Sequence, residues 1–296
     1  MNEVITLSEK DIAPLFPKRD ENAHKGNFGY VGILGGSPEY SGAVKLANLA
    51  LSALRAGAGV ARLIIPEGLF GAVSPYILES TLFLLPDGGS GRLVFSENEI
   101  SNATKNLSSL AFGMGAGQNG ETLKTAQYLL NYFENTLILD ADALNAIAAS
   151  DKSGLKARKQ PTVLTPHVKE MSRLSGIPVD EILANPQQTA ENFAREYGVT
   201  VLLKGHVTYI TDGAKTYAVR KGSAGMAAGG SGDVLSGIIA GLCGFVKDPL
   251  LAAAAGAFIN GSAGEKAANA VGEYGMLPSD TVSYIAETVK QLGERQ

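Results

Sequence analysis

The chain predicts an α/β architecture built on a mostly parallel sheet, and three observations carry that expectation. Short apolar runs alternate with longer segments of helical period, the order that gives parallel strands joined by crossover helices. Glycines gather at the turns after several of those runs: 36 of the 296 residues are glycine, about 12%, against ~7% in ordinary proteins. Hydrophobic residues make up 45% of the chain, enough at this length for one large domain with a well-buried core or for two smaller ones. No internal repeat, low-complexity tract or long charge run marks a linker, so a single domain over 1–296 is expected.

Taken in order, the strands are expected over residues 30–34 (Tyr-Val-Gly-Ile-Leu), 61–65, 110–112, 136–139, 162–164 and 200–203, each a short apolar run. Helices are expected over 42–56, 121–133, 186–197, 234–242, 250–270 and 280–292, where apolar residues recur at helical spacing. Residues 207–210 and 216–219 read as a small hairpin turning at Asp212-Gly213.

Composition excludes several function classes. A formal net charge of -4 argues against a nucleic-acid surface, which needs clustered Lys and Arg. The single cysteine, Cys243, sits in an apolar run, so neither an internal disulfide nor a cysteine-rich metal site can form, and a core thiol in a reducing compartment is expected. Residues 1–10 carry Glu3, Glu9 and Lys10 and lack the apolar run of a signal peptide. The alanine-rich run 250–259 is too short to cross a bilayer. A cytoplasmic protein without membrane contact is the expectation.

Two glycine turns compete for the chemistry. Gly115-Ala116-Gly117-Gln118-Asn119-Gly120 is a G-x-G-x-x-G between an expected strand and an expected helix, with Asp140 ending the next strand. That is the order of a dinucleotide fingerprint, in which glycines admit a pyrophosphate to a helix N-terminus and the acid takes ribose hydroxyls. The plainer alternative is a tight strand-to-helix turn. Against the fingerprint, more than 100 residues with their own strands precede it, and it leaves the denser cluster at 222–232 without a role.

In that second cluster, Gly229-Gly230-Ser231-Gly232-Asp233 runs directly into the expected helix at 234. Unpaired first-turn N–H groups, small residues and the positive end of the helix dipole together form an anion site. Asp233 is either a helix cap or a base that takes the proton of a substrate hydroxyl as it attacks a bound phosphate. No G-x-x-x-x-G-K-[ST] P-loop occurs, so the chain is not of the Walker type.

The Gly-x-Gly-Asp turn opening a C-terminal helix resembles that of the ribokinase-like superfamily, which implies a central, mostly parallel sheet with helices on both faces. Read together, His24-Lys25-Gly26-Asn27-Phe28-Gly29, Gly35-Gly36-Ser37, Asp140-Ala141-Asp142-Ala143-Leu144-Asn145, Thr165-Pro166-His167, Lys204-Gly205-His206-Val207-Thr208 and the turn at Asp233 resemble one member family. It is the ADP- or ATP-dependent NAD(P)H-hydrate dehydratase, and the motifs run in the family's order over nearly the whole chain. The resemblance implies repair of hydrated NADH or NADPH: the ring hydroxyl is phosphorylated and the ring-nitrogen lone pair expels phosphate. Bacterial-type members use ADP, giving AMP and phosphate, and ADP is the expectation here; eukaryotic members use ATP.

Carried over by motif, Asp233 is the base and also touches the hydrate, and the amides of Gly230, Ser231 and Gly232 form the anion hole. Lys204, Gly205, His206, Val207 and Thr208, with Gly232, bind the nucleotide, while Ala43, Gly115 and His167 line the hydrate site. Glu170 falls where related kinases keep an acid that orients Mg2+ through water. The chain departs from the family in Ser231 for a commoner Thr, in Gly113-Met114-Gly115 for Gly-Pro-Gly, and in lacking Pro-Gly before Glu170. With 23 residues ahead of His24, a hydrate epimerase is expected on a separate chain, and a symmetric homo-oligomer is expected by base rate and resemblance. The alternatives kept open are a ribokinase-like kinase for a vitamin precursor and a non-catalytic dinucleotide-binding protein.

Overall fold

The computed structural model describes residues 3–51 and 57–294. Ten strands form one sheet in the order β1-β10-β9-β8-β7-β6-β5-β2-β3-β4. They are β1 (Val4–Thr6), β2 (Tyr30–Leu34), β3 (Val60–Pro66), β4 (Thr81–Leu85), β5 (Ser109–Phe112), β6 (Thr136–Leu139), β7 (Thr162–Leu164), β8 (Thr200–Leu203), β9 (Thr208–Thr211) and β10 (Thr216–Val219). Every pairing is parallel except β8 with β9 and β9 with β10.

Strand residues alternate between two cores, as a doubly covered sheet requires. Val31, Ile33, Leu63, Ile65, Ile138 and Leu202 point to one, packed beneath the helices Ser41–Leu51, Ser231–Cys243, Pro249–Val271 and Pro278–Gly293. Leu34, Ile64, Leu110, Phe112, Leu139 and Leu203 point to the other, beneath helices that include Gly120–Tyr132, Ala141–Ala148, Val168–Ser175 and Pro186–Tyr197. Cys243 is buried in the first core and its thiol is pushed up to about 12 by burial, so it is an inert apolar residue at neutral pH. Among the described residues no helix is long and apolar enough to cross a membrane.

The six expected strands and the hairpin are present. Strands β1 and β4 were not anticipated: the first is a three-residue, largely exposed edge strand, too short to show a period. The expected helix over 42–56 is present as Ser41–Leu51, and its last residues, 52–56, lie outside the described ones. The helix expected to begin at 234 instead begins at Ser231, with Gly230 as its N-cap at φ +104°, a left-handed conformation that glycine adopts without strain.

Sequence order runs outward from β2 through β3 to β4 on one side, and from β5 through β8 on the other. The reversal between β2 and β5 opens a crevice at the strands' carboxyl ends, where ligands bind in open α/β sheets.

Candidate active site

The loops leaving β2 and β5 close on each other at this crevice. Gly36 N–H donates to Met114 O at 3.0 Å. Gly115, at φ +63°, lies so close to the turn before the 41–51 helix that a Cβ there would meet Tyr40 O at 2.6 Å and Ala43 Cβ at 3.1 Å. Ala43 and Gly115, far apart in sequence, therefore stand together.

Three further strand ends present their side chains in a row, because β6, β7 and β8 are neighbours. Lys204 follows β8, its N–H donates to Pro166 O at 2.9 Å, and it forms a bridge with His167 after β7. The Lys204 ammonium donates to Asp140 Oδ1 at 3.0 Å and lies 3.9 Å from Glu170 Oε2. Asp140 Oδ2 accepts from Ser236 Oγ at 2.7 Å, which ties β6 to the 231–243 helix. Glu170 Oε2 also accepts from His167 N–H at 2.8 Å.

Charges crowded in this way perturb one another. Burial, the largest influence on Lys204, favours its neutral form, but the carboxylates of Asp140 and Glu170 outweigh it and hold the amine charged. Burial raises Glu170 despite Lys204, and burial followed by the Lys204 charge lowers His167. Asp233 is pushed up to about 7, first by burial and then by Asp140, with Lys204 opposing. A carboxyl poised near neutrality at a helix N-terminus is the behaviour of an acid–base group.

Asp233 is the third residue of its helix and Gly230 is the cap, so the capping alternative for Asp233 is corrected. The Ser231 N–H turns back to Ala228 O at 3.3 Å, while Val234 N–H makes the first long helical bond, to Gly230 O at 3.1 Å. A Cβ on Gly232 would lie 3.3 Å from Lys204 Nζ, so the ammonium sits against the first helical turn. From there a cleft of about 490 Å3 extends past Gly205, His206, Thr208, Arg220 and Lys221, a basic lining suited to a polyanion.

The dinucleotide-fingerprint reading of 115–120 does not survive this geometry. Both carboxylate oxygens of Asp140 are committed, to Lys204 and to Ser236, Gly117 N–H donates to Asp142 Oδ2 at 2.9 Å, and Asn119 caps the following helix. A literal spacing match carried no information on where Asp140 would point. The segment 24–29 is likewise not brought to the site: it lies at the opposite pole, where a Cβ on Gly29 would meet Gly244 O at 2.2 Å, beside a larger cavity of about 1030 Å3 around Phe16, Phe28 and Phe245. Sequence reasoning missed Ser236, and it gave Asp142 a place in a motif but no role. Ser236 lies three residues beyond Asp233, on the next turn of the same helix, which was the one available signal.

Between the anchored Asp140 and Asp142, Ala141 is held at φ +48°. Left-handed backbone costs an alanine ~1–2 kcal/mol, and two pinned neighbours enforce it. Ala141→Gly is expected to raise stability by about 0.5–1 kcal/mol after the extra entropy of glycine in the unfolded chain is counted. An unchanged or lower denaturation midpoint in urea would show that the conformation carries no strain.

For a cation, the donor set is sparse: among the described residues no group of three His, Cys, Asp or Glu is placed to hold a metal. Glu170 is partly engaged by His167 and Lys204. That fits Mg2+, which keeps several waters and is bound through one or two carboxylates with substrate phosphates, and does not fit a dedicated protein cage.

Comparison with known proteins follows the same line. The family model described as NAD(P)H-hydrate dehydratase matches residues 31–287. The chain is 33% identical over 288 residues to the ADP-dependent (S)-NAD(P)H-hydrate dehydratase of Nitrosopumilus maritimus, covering 96% of each. It is 38% identical over 283 residues to the bifunctional NAD(P)H-hydrate repair enzyme of Moorella thermoacetica, covering 94% of this chain and 52% of that protein; the chain spans about half the length of the bifunctional relatives it matches. The Bacillus subtilis ADP/ATP-dependent NAD(P)H-hydrate dehydratase, co-crystallized with ATP/Mg2+, superposes with a TM-score of 0.84 at 25% identity, covering 99% of this chain and 100% of that one.

Proposed function

The chain belongs to the NAD(P)H-hydrate dehydratase family, and from that membership we propose that it restores hydrated NADH or NADPH to NAD(P)H at the expense of ADP or ATP, with ADP giving AMP and phosphate. The observation that carries the reading is the meeting of Lys204 with the first turn of the 231–243 helix at the head of the basic cleft, where Asp233 is the third helical residue and a carboxyl raised to about 7. The whole of 1–296 is proposed as one ribokinase-like domain.

In this reading the nucleotide is held by the segment Lys204, Gly205, His206, Val207 and Thr208, of which all but Val207 line the cleft, with its terminal phosphoryl group at the Gly230, Ser231 and Gly232 amides. The Ser231 amide gives up its 3.3 Å bond to Ala228 O, long enough for a phosphoryl oxygen to replace it. The hydrate enters from the Ala43, Gly115 and His167 side. Asp233 accepts the proton of the ring hydroxyl as its oxygen attacks phosphorus, and the nucleoside phosphate leaves. Hydroxide has become phosphate, a far better leaving group; the ring-nitrogen lone pair expels it, a ring proton is lost, and the dihydropyridine is regenerated. Glu170 would hold Mg2+ through water, and the ion would supply positive charge to the phosphoryl oxygens. Lys204 supplies the rest from the protein.

Hydrated NADH incubated with the protein, Mg2+ and ADP or ATP is expected to recover NADH absorbance with one phosphate released per cofactor. Recovery at full rate without nucleotide would remove the phosphorylation mechanism. Transfer of phosphate to a vitamin-precursor alcohol, without NADH recovery, would favour the kinase alternative.

A further inference from the structure

Resting on the nucleotide reading of the cleft, we propose that Asn260 recognises the nucleobase and makes the site selective for adenine. Asn260 lies on the 249–271 helix and lines the cleft together with Lys204 and Gly232. It is 7% exposed, and its Oδ1 is shut off from solvent with no hydrogen-bond partner. Buried side-chain oxygens are almost always paired, because an unmade bond forfeits the hydration the group has already lost. Turned toward the cleft that Asn260 lines, that oxygen would gain from a bound ligand the donor it lacks within the protein.

The cleft itself sets what that donor belongs to. Lys204 and the first turn of the 231–243 helix fix the phosphate end. Around Asn260 the lining turns apolar, with Leu235 and Ala257 nearly buried beside it, and the backbone of Lys221 is pressed against the neighbouring Gly261, where a Cβ would meet it at 2.6 Å. An apolar stretch of the cleft with one carboxamide beside it suits a flat heteroaromatic ring. A carboxamide offers an acceptor and a donor side by side, the complement of adenine's 6-amino group and N7. Hypoxanthine carries an oxygen at position 6 and so presents two acceptors on that edge, leaving one atom of the amide unpaired.

The test compares ADP with inosine diphosphate, binding each by calorimetry to the wild type and to Asn260→Ala. Wild type is expected to bind ADP roughly 5- to 150-fold more tightly than inosine diphosphate, the range one bidentate amide–base pair provides. In Asn260→Ala that ratio should fall toward one through weaker ADP binding. The melting temperature of the unliganded variant should be unchanged or higher, since alanine favours the helix and removes the unpaired oxygen. A ratio retained in the variant, or near one in the wild type, overturns the proposal. So does a lower melting temperature without nucleotide, which would make Asn260 a structural residue. Binding of neither diphosphate to the wild type would instead bring down the nucleotide reading of the cleft on which the inference stands.

Discussion

Asp233→Asn is expected to lower kcat by roughly 10²–10⁴-fold, the usual worth of a general base, while the protein stays folded and still binds nucleotide. The variant keeps size and polarity and removes only the carboxylate. Because Gly230 and not Asp233 caps the helix, no capping bond is lost. Nucleotide affinity should hold or improve, since a negative charge leaves the neighbourhood of the phosphates. A normally folded Asp233→Asn enzyme turning over at the wild-type rate would remove Asp233 from the mechanism.

The raised pKa of Asp233 gives this variant a second signature. Native Asp233 keeps its proton up to about pH 7, whereas in the unfolded chain the group has its model value of 3.8. Between those values the native state binds more protons, so this carboxyl's contribution to stability falls as pH rises and is least favourable above pH 7. Asp233→Asn removes that term. Its melting temperature should equal the wild type's near pH 4 and exceed it most at pH 8. The wild-type kcat/KM, in turn, should climb with pH through about 7 as the base ionises. A variant less stable than wild type at pH 8 would contradict the buried, carboxylate-crowded setting from which both trends follow.

The fold was legible where residues speak locally. Tyr30–Leu34 and Thr200–Leu203 are continuous apolar runs and were read at their bounds; Val4–Thr6 is three residues long and gained its strand only by pairing with Thr216–Ala218, a contact no local pattern reports. The site divides in the same way. Gly229 to Asp233 announces itself because small residues and an acid before an apolar helix have few other uses. Asp140 misled because its position after a strand was visible while its partners, Lys204 and Ser236, are 64 and 96 residues away. Asn260 gave no signal at all: an asparagine in an alanine-rich helix is informative only once its oxygen is seen to be buried and unpaired.

Lys204→Ala is expected to injure stability and nucleotide binding together, and the two losses can be separated. The ammonium is the cation between Asp140 and Glu170, which are 2% and 5% exposed. Removing one partner of a buried ion pair costs ~3–5 kcal/mol; with the Lys204 side chain 22% exposed, water offsets part of that and about 2–4 kcal/mol is expected. Loss of a charged hydrogen bond to phosphate, ~1.5–3 kcal/mol, should raise the nucleotide KM roughly 10- to 150-fold. Adding Asp140→Asn to Lys204→Ala removes one of the stranded carboxylates and keeps the Ser236 contact, so most of the lost melting temperature should return. Nucleotide affinity should not return with it, because an uncharged pair offers the phosphate nothing. If the double variant binds ADP like the wild type, Lys204 serves only to neutralise Asp140 and Glu170, and the phosphate must be held by the helix amides alone.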